Sequence, residues 1–258
     1  MGRPSRPRAA TEVKGIILAA GRGSRMRELT SDRPKCLVEL AGRPLLDHEV
    51  ASLRAGGISE IGIVCGWRAE MLGGRSLRLF DNPRWAETNM VASLACAGEW
   101  LEAGPCLISY SYIFYGASTV AALAAAHGDI AITFDPHWRA LWSRRFADPL
   151  ADAESFRRDA AGRVTEIGRR AGNIDEIEGQ YMGLLKITPA GWAAVEAVRG
   201  RLDARARDRL DMTTALRLII AAGTSVAAIP CAGPWGEVDS ADDLALYERM
   251  VAAGELRL

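Results

Sequence analysis

The stretch "GIILAAGRGSRM", residues 15–26, decides the fold. Its apolar half continues a run from Val13 to Leu18 that reads as a buried strand, unbroken and β-branched as in a parallel sheet. Small residues and a Gly-rich loop follow, and such a loop turns backbone N–H groups towards an anion, most often a phosphate. Outward from it, apolar patterns alternate between the two periods. "LLDHEVASLRAGG" is helical with a Gly stop, "ISEIGIVCG" is a strand and "SLRLFDNP" a short strand ending in a turn. "NMVASLACAGEWLEAG" reads as one helix, "PCLISYSYIFY" as one strand, "STVAALAAAHG" as a helix and "DIAITFD" as a strand. The alternation predicts an α/β fold: a mostly parallel open sheet with helices on both faces, Rossmann-like. Residues 136–187 break the rhythm with three strand-like pieces, near 154–159, 163–168 and 180–187, which look antiparallel and predict a small insertion or lid. "MTTALRLIIAAG", "TSVAAIP" and "ADDLALYERMVAAG" then resume the alternation. The basic, Pro-bearing residues 1–12 read as a mobile tail, and 13–258 as a single domain.

The bulk composition is that of an ordinary globular chain: 258 residues, 49% hydrophobic, 25% charged, formal net charge zero. Charge balance gives no reason to expect nucleic acid or membrane as a partner. No apolar run has the length of a membrane span, and no secretory apolar region stands near the start. Five cysteines without C-x-x-C spacing indicate neither a zinc site nor a disulfide framework, so a reduced, cytoplasmic setting is expected. Only three of the 32 basic residues are lysines (14, 35 and 186), so a lysine beside a motif stands out from the background.

Three phosphate loops begin as residues 15–26 do. A Walker loop needs Gly-Lys-Ser/Thr after four spacers, and that is absent. A dinucleotide fingerprint needs a third Gly opening a helix at once. Here Arg25 follows "GRGS", and helical periodicity waits until after Pro44. The remaining pattern is G-x-G-x-R with a later P-K, met by "GRGSRM" and "RPKCLVELAGRPLL". The long spacer suits a loop that wraps a triphosphate, with Arg25 and Lys35 as two fixed cations. Transfer of a nucleotidyl group calls for such cations, because negative charge builds on the α-phosphate oxygens and on departing pyrophosphate. The plain structural alternative is a Gly-rich turn with two surface cations.

With these residues the chain resembles the sugar-phosphate nucleotidyltransferase superfamily. "CGW", "DNPRWAETNMVASL", "FDPHWRALW", "DAESF", "EIGRR", "GQYMGLLK", "LDMTTAL" and "PWGEVDSADDL" are similar to its phosphocholine and 2-aminoethylphosphonate cytidylyltransferase branch. The resemblance covers about residues 13–250. It implies CTP phosphates on Leu18, Ala19, Ala20, Gly21, Gly23 and Ser24, with Arg25 and Lys35 catalytic. It places Asn89 and Ser93 near cytosine and ribose, although Asn89 would equally cap the helix it opens. Trp138 and Trp142, four apart, could offer ring faces to an ammonium head or simply pack beneath a lid. Asp135, Glu154, Glu178 and Asp211 are candidate acidic partners for that head. Superfamily members hold Mg²⁺ with an Asp that Asp239 matches, Glu237 adding a carboxylate beside it. The rival reading of Asp239 or Ser240 is a helix cap.

One position departs from the pattern. The resemblance implies a second metal-binding Asp after the strand "CLISYSYIFYG", where this chain has Tyr112. A neutral phenol, with a pKa near 10, is a poor Mg²⁺ ligand. Three explanations stand: a degenerate or substituted, weakly active form; metal held by Asp239 with Glu237 alone; or a slipped correspondence. The function implied is CMP transfer from CTP to a small zwitterionic phosphate or phosphonate, with Mg²⁺ as cofactor and a homodimer as the candidate assembly. The alternatives are a catalytically weak nucleotide-binding protein and a sugar- or polyol-phosphate nucleotidyltransferase.

Overall fold

A computed structural model describes residues 12–23, 26 and 29–258. Residues 1–11, nearly all of the expected tail, lie outside the described residues, as do Ser24 and Arg25 of the loop. Strand β1 (Lys14–Ala19) ends in the Gly-rich loop, after which β2 (Glu39–Leu40) and β3 (Arg43–Pro44) form a small antiparallel pair. Helix α1 (Leu45–Ala55), β4 (Ile61–Cys65) and β5 (Arg78–Asp81) follow. The segment read as one helix over residues 89–104 is two short ones, α2 (Met90–Ala95) and α3 (Gly98–Ala103). The segment read as one strand breaks at Ser111 and Tyr112 into β6 (Cys106–Tyr110) and β7 (Ile113–Tyr115). Next come α4 (Ala117–Ala124), β8 (Ile130–Asp135), α5 (Trp138–Arg145), β9 (Glu154–Arg158), β10 (Val164–Arg170) and β11 (Gln180–Ile187). Two helices that the sequence reading passed over, α6 (Pro189–Arg199) and α7 (Ala204–Asp208), precede α8 (Met212–Ala221). The chain closes with β12 (Val226–Pro230), β13 (Trp235–Glu237) and α9 (Ala241–Ala252).

Seven strands form the central sheet in the order β12-β8-β11-β6-β1-β4-β5. All neighbours run parallel except β11, which is antiparallel to both β6 and β8. The mostly parallel open sheet is therefore as expected. Residues 180–187, grouped by sequence with the antiparallel insertion, instead lie at the centre of this sheet. Of the three insertion pieces, β9 and β10 alone pair outside it, as an antiparallel ribbon; β13 and β7 form a further two-stranded antiparallel pair.

Helices cover both faces, as the register shows. Gly15 pairs with Ile61, so Gly62, one residue on, points to the opposite side. A Cβ on Gly15 would meet Leu53 of α1, whereas one on Gly62 would meet Trp100 of α3. Between the layers Ile16, Ile17, Ile63, Leu107 and Ile108 are fully buried, each contributing about 1.5–3 kcal/mol. The strands being buried on both sides explains their unbroken apolar runs. No described helix is long and apolar enough to cross a membrane.

Candidate active site

Two cavities, of about 290 and 280 Å³, open side by side at the carboxyl ends of β1 and β6, and Met90 and Tyr112 line both. In open α/β sheets this is where ligands bind. Leu18, Ala20, Gly21, Gly23, Lys35 and Ser93 line the first, together with Asn89. Ala19 is the buried last residue of β1 and forms no part of that lining. Gly23 has φ +68°, and a Cβ there would stand 2.8 Å from Lys35 Cβ, so the loop needs glycine to cross over the lysine.

Pro34 sets Lys35 on a single 3₁₀ turn, Lys35–Leu37. The ammonium is buried, donates to Asp239 Oδ1, and lies 3.7 Å from the centre of the Tyr112 ring. Asp239 arrives from the other end of the chain. Ser240 caps α9 in a reciprocal capping box with Asp243, so the cap belongs to Ser240 and the Asp239 carboxylate faces Lys35. Asp243 Oδ2 accepts from the backbone N–H groups of both Asp239 and Ser240, each at 3.0 Å.

Arg145, at the end of α5, holds this corner. Its side chain is wholly buried and donates to Asp243 Oδ1 at 2.8 Å and to Glu237 Oε1 at 2.9 Å. Burial opposes ionisation of Asp243, but the Arg145 hydrogen bonds and charge hold its carboxyl below the usual range. Glu237 is different: burial, with Asp239 and Asp152 nearby, pushes its carboxyl up to about 7 against the pull of Arg145. Glu237 thus gives one carboxylate oxygen to Arg145 while it lines the second cavity beside Asp239, where the sequence had set it as a metal ligand.

The second cavity is acidic and aromatic. Asp152, Glu154, Asp211, Glu237 and Asp239 line it, with Tyr110, Trp142 and Tyr181, and among the described residues no lysine or arginine joins them. Tyr110 sits 5.7 Å from Tyr112 and 5.9 Å from Tyr181, centre to centre. Gly183, at φ +80°, lets β11 pass this close, since a Cβ there would stand 2.5 Å from the Tyr110 ring. Burial raises the Asp152 carboxyl above the ordinary range, and burial with the charges of Asp211 and Asp152 does the same for Glu154. Asp211 also caps α8 through the N–H of Thr214 at 2.7 Å.

The other sequence candidates divide. Trp142 faces the cavity and donates its indole N–H to Asp152 at 3.1 Å. Trp138, 2% exposed, donates to the Ile177 carbonyl at 3.3 Å and stands outside both cavities. Asp135 receives the Trp235 indole N–H and the backbone N–H of His137, and lines neither cavity. Exposed Glu178 accepts from the Arg158 N–H. Asn89 does cap α2 and also lines the first cavity. Asp152, Tyr110 and Tyr181 went unnoticed in the sequence. The alternation of tyrosines in "SYSY" was the available signal for Tyr110, because residues two apart in a strand share a face.

Among the described residues no group of three or more acidic, His or Cys side chains is gathered as a metal cage. Mg²⁺, however, is often held by one or two carboxylates with substrate phosphates and water. Asp239 fits that sparser set. Tyr112, a phenol over the lysine, does not.

Residues 15–170 match the MobA-like NTP transferase domain family. The chain is 35% identical over 248 residues to the CTP:phosphoglutamine cytidylyltransferase of Campylobacter jejuni, covering 90% of this chain and 98% of that protein. It is 33% identical over 177 residues to the CMP-5'-(3-aminopropyl)phosphonate synthase of Streptomyces rubellomurinus, covering 64% of this chain and 26% of that one. The inositol-1-phosphate CTP transferase of T. maritima shares the fold, with a TM-score of 0.73, 20% identity, and coverage of 95% and 97% of the two chains. The chain belongs to the MobA-like NTP transferase domain family and is a nucleotidyltransferase.

Proposed function

We propose that this enzyme transfers CMP from CTP to a small phosphate or phosphonate bearing a cationic head, with release of pyrophosphate. The observation that carries the reading is the junction of two unlike cavities at Lys35, Tyr112 and Asp239. One side offers a Gly-rich loop and a cation, suited to a triphosphate. The other offers carboxylates and aromatic faces, suited to an ammonium group. Two of the relatives named above have amine-bearing compounds in their names.

In this reading the acceptor's phosphoryl oxygen, already anionic, attacks the α-phosphorus in line, and the bond to pyrophosphate breaks. No strong general base is needed. The chain's contribution is positioning and charge neutralisation. Lys35 holds its ammonium where charge grows on the α-phosphate and the leaving group, in a buried setting that strengthens the interaction. Arg25, outside the described residues, is the second cation. Asp152, Glu154 and Asp211 draw the acceptor's head into the acidic cavity and leave its phosphoryl end at the junction. Mg²⁺ would be held by Asp239 with phosphate oxygens, supplying further neutralisation there.

The test is a pyrophosphate-release screen of four NTPs against phosphocholine, 2-aminoethylphosphonate, phosphoglutamine, inositol 1-phosphate and glucose 1-phosphate. Release with CTP and an amine-bearing acceptor is expected. Preference for a sugar or polyol phosphate would overturn the acceptor assignment, and preference for another NTP the donor. Lys35 lies paired to Asp239 under the Tyr112 ring, and this supports a second reading, a nucleotide binder with little turnover. CTP binding without release would favour it.

A further inference from the structure

Asn82 follows β5, is 3% exposed and reaches neither cavity, yet it governs the wall of the nucleotide cavity. From Trp85 to Ser93 the residues lining that wall are uncharged: Trp85, Thr88, Asn89, Met90 and Ser93. Such a wall suits a base and a ribose better than phosphate. The Asn82 backbone N–H donates to the Cys65 carbonyl at 2.8 Å. Its side-chain Oδ1 accepts from the Arg84 N–H at 3.0 Å, which settles the orientation of the amide, because only the oxygen can accept there. Both hydrogens of Nδ2 are then directed to hydroxyls, Thr88 Oγ1 at 3.0 Å and Ser93 Oγ at 3.0 Å.

Neither hydroxyl can return a proton to Asn82, and each passes it to a carbonyl: Thr88 to Arg84 at 2.9 Å, Ser93 to Asn89 at 3.2 Å. A hydroxyl has one proton and two lone pairs. Thr88 and Ser93 therefore each retain one lone pair and no proton to offer the cavity. A pyrimidine with an exocyclic amine can donate to such a wall. Its oxo counterpart brings a carbonyl to the same place and finds, at these two hydroxyls, lone pairs and no donor. We propose that Asn82 is a positioning residue that fixes Thr88 and Ser93 as acceptors and so makes the site select cytosine over uracil.

This rests on the CTP reading above, and the test keeps the two apart. Kd values for CTP and UTP are measured by calorimetry without acceptor, for the unaltered protein, Thr88→Val, Ser93→Ala and Asn82→Leu. The unaltered protein is expected to favour CTP by about tenfold or more, the scale of one unmet hydrogen bond. Each variant should bring that ratio down by about threefold or more, chiefly by weakening CTP. A merely structural role would weaken both nucleotides alike and leave the ratio unchanged, which would overturn the proposal. Should Asn82→Leu fail to fold, the two hydroxyl variants still decide. If the unaltered protein binds no CTP, the proposed function itself falls. If it binds CTP and the ratio is unmoved, only the role of Asn82 falls.

Discussion

Replacing Tyr112 by Asp sets stability and turnover against each other. The ring lies 3.7 Å from Lys35 Nζ and 5.7 Å from the Tyr110 ring. The first contact is worth about 1–2 kcal/mol and the second about 0.5–1.5 kcal/mol. An Asp would recover part of this by pairing with Lys35, so a net loss of about 1–2 kcal/mol is expected, or roughly 2–6 °C in Tm for a chain of this size. Turnover should move the other way. A carboxylate at this position would stand across the junction from Asp239, giving Mg²⁺ two ligands in place of one and freeing space where the cavities meet. The expected gain in Mg²⁺-dependent pyrophosphate release is at least about tenfold, or roughly 1.4 kcal/mol of barrier. The assay compares both proteins at equal CTP and acceptor concentrations, with EDTA as control and Tyr112→Asn as a neutral match. A gain equal in the Asn variant would assign the effect to lost bulk. A fast unaltered protein that is slowed by Tyr112→Asp would refute the reasoning, since the tyrosine would then belong to the working site.

Arg145→Met leaves Glu237 and Asp243 facing each other without their cation, and should cost about 3–5 kcal/mol in urea unfolding; a loss below about 1 kcal/mol would show that the cluster relaxes freely. Trp138→Leu should lower stability yet leave acceptor affinity intact, because its ring is core, whereas Trp142→Leu should also weaken an aminoalkyl acceptor by about 0.5–2 kcal/mol; acceptor titrations of the two variants, with equal losses, would contradict this division. The Glu154 carboxyl is raised by burial and by Asp211 and Asp152, so it gains charge only as pH climbs above the ordinary carboxylate range. Acceptor KM should therefore fall as pH rises through that window, and Glu154→Gln should flatten the profile; an unchanged slope in the variant would remove Glu154 from head-group binding.

What the sequence disclosed was local. β1, the glycine loop and Pro34-Lys35 are contiguous patterns with a direct physical meaning, and they lie together in the fold. Long-range partnerships stayed hidden. Nothing near Glu237 announces Arg145, 92 residues away, so its ion pair stayed hidden behind its place beside Asp239. β11 is apolar because both its faces are buried, and that pattern does not say which strands it pairs with. Trp138 and Trp142 sit one helical turn apart, yet one ring meets the cavity and the other the Ile177 carbonyl. Helix α6 begins Thr-Pro, a cap followed by a permitted first-turn proline, but Gly191 and the β-branched Val195 and Val198 lower its intrinsic helix propensity.

The tie made by Arg145 also bears on how such enzymes can be recombined. The arginine is supplied by the segment before the β9–β10 ribbon, and its partners by the last strand and helix. A chimera that imports residues 136–178 from a relative, to borrow its taste in acceptors, would inherit a foreign donor beneath native carboxylates. The graft has to travel with its counterpart around 237–243, so two stretches distant in the gene behave as a single exchangeable part.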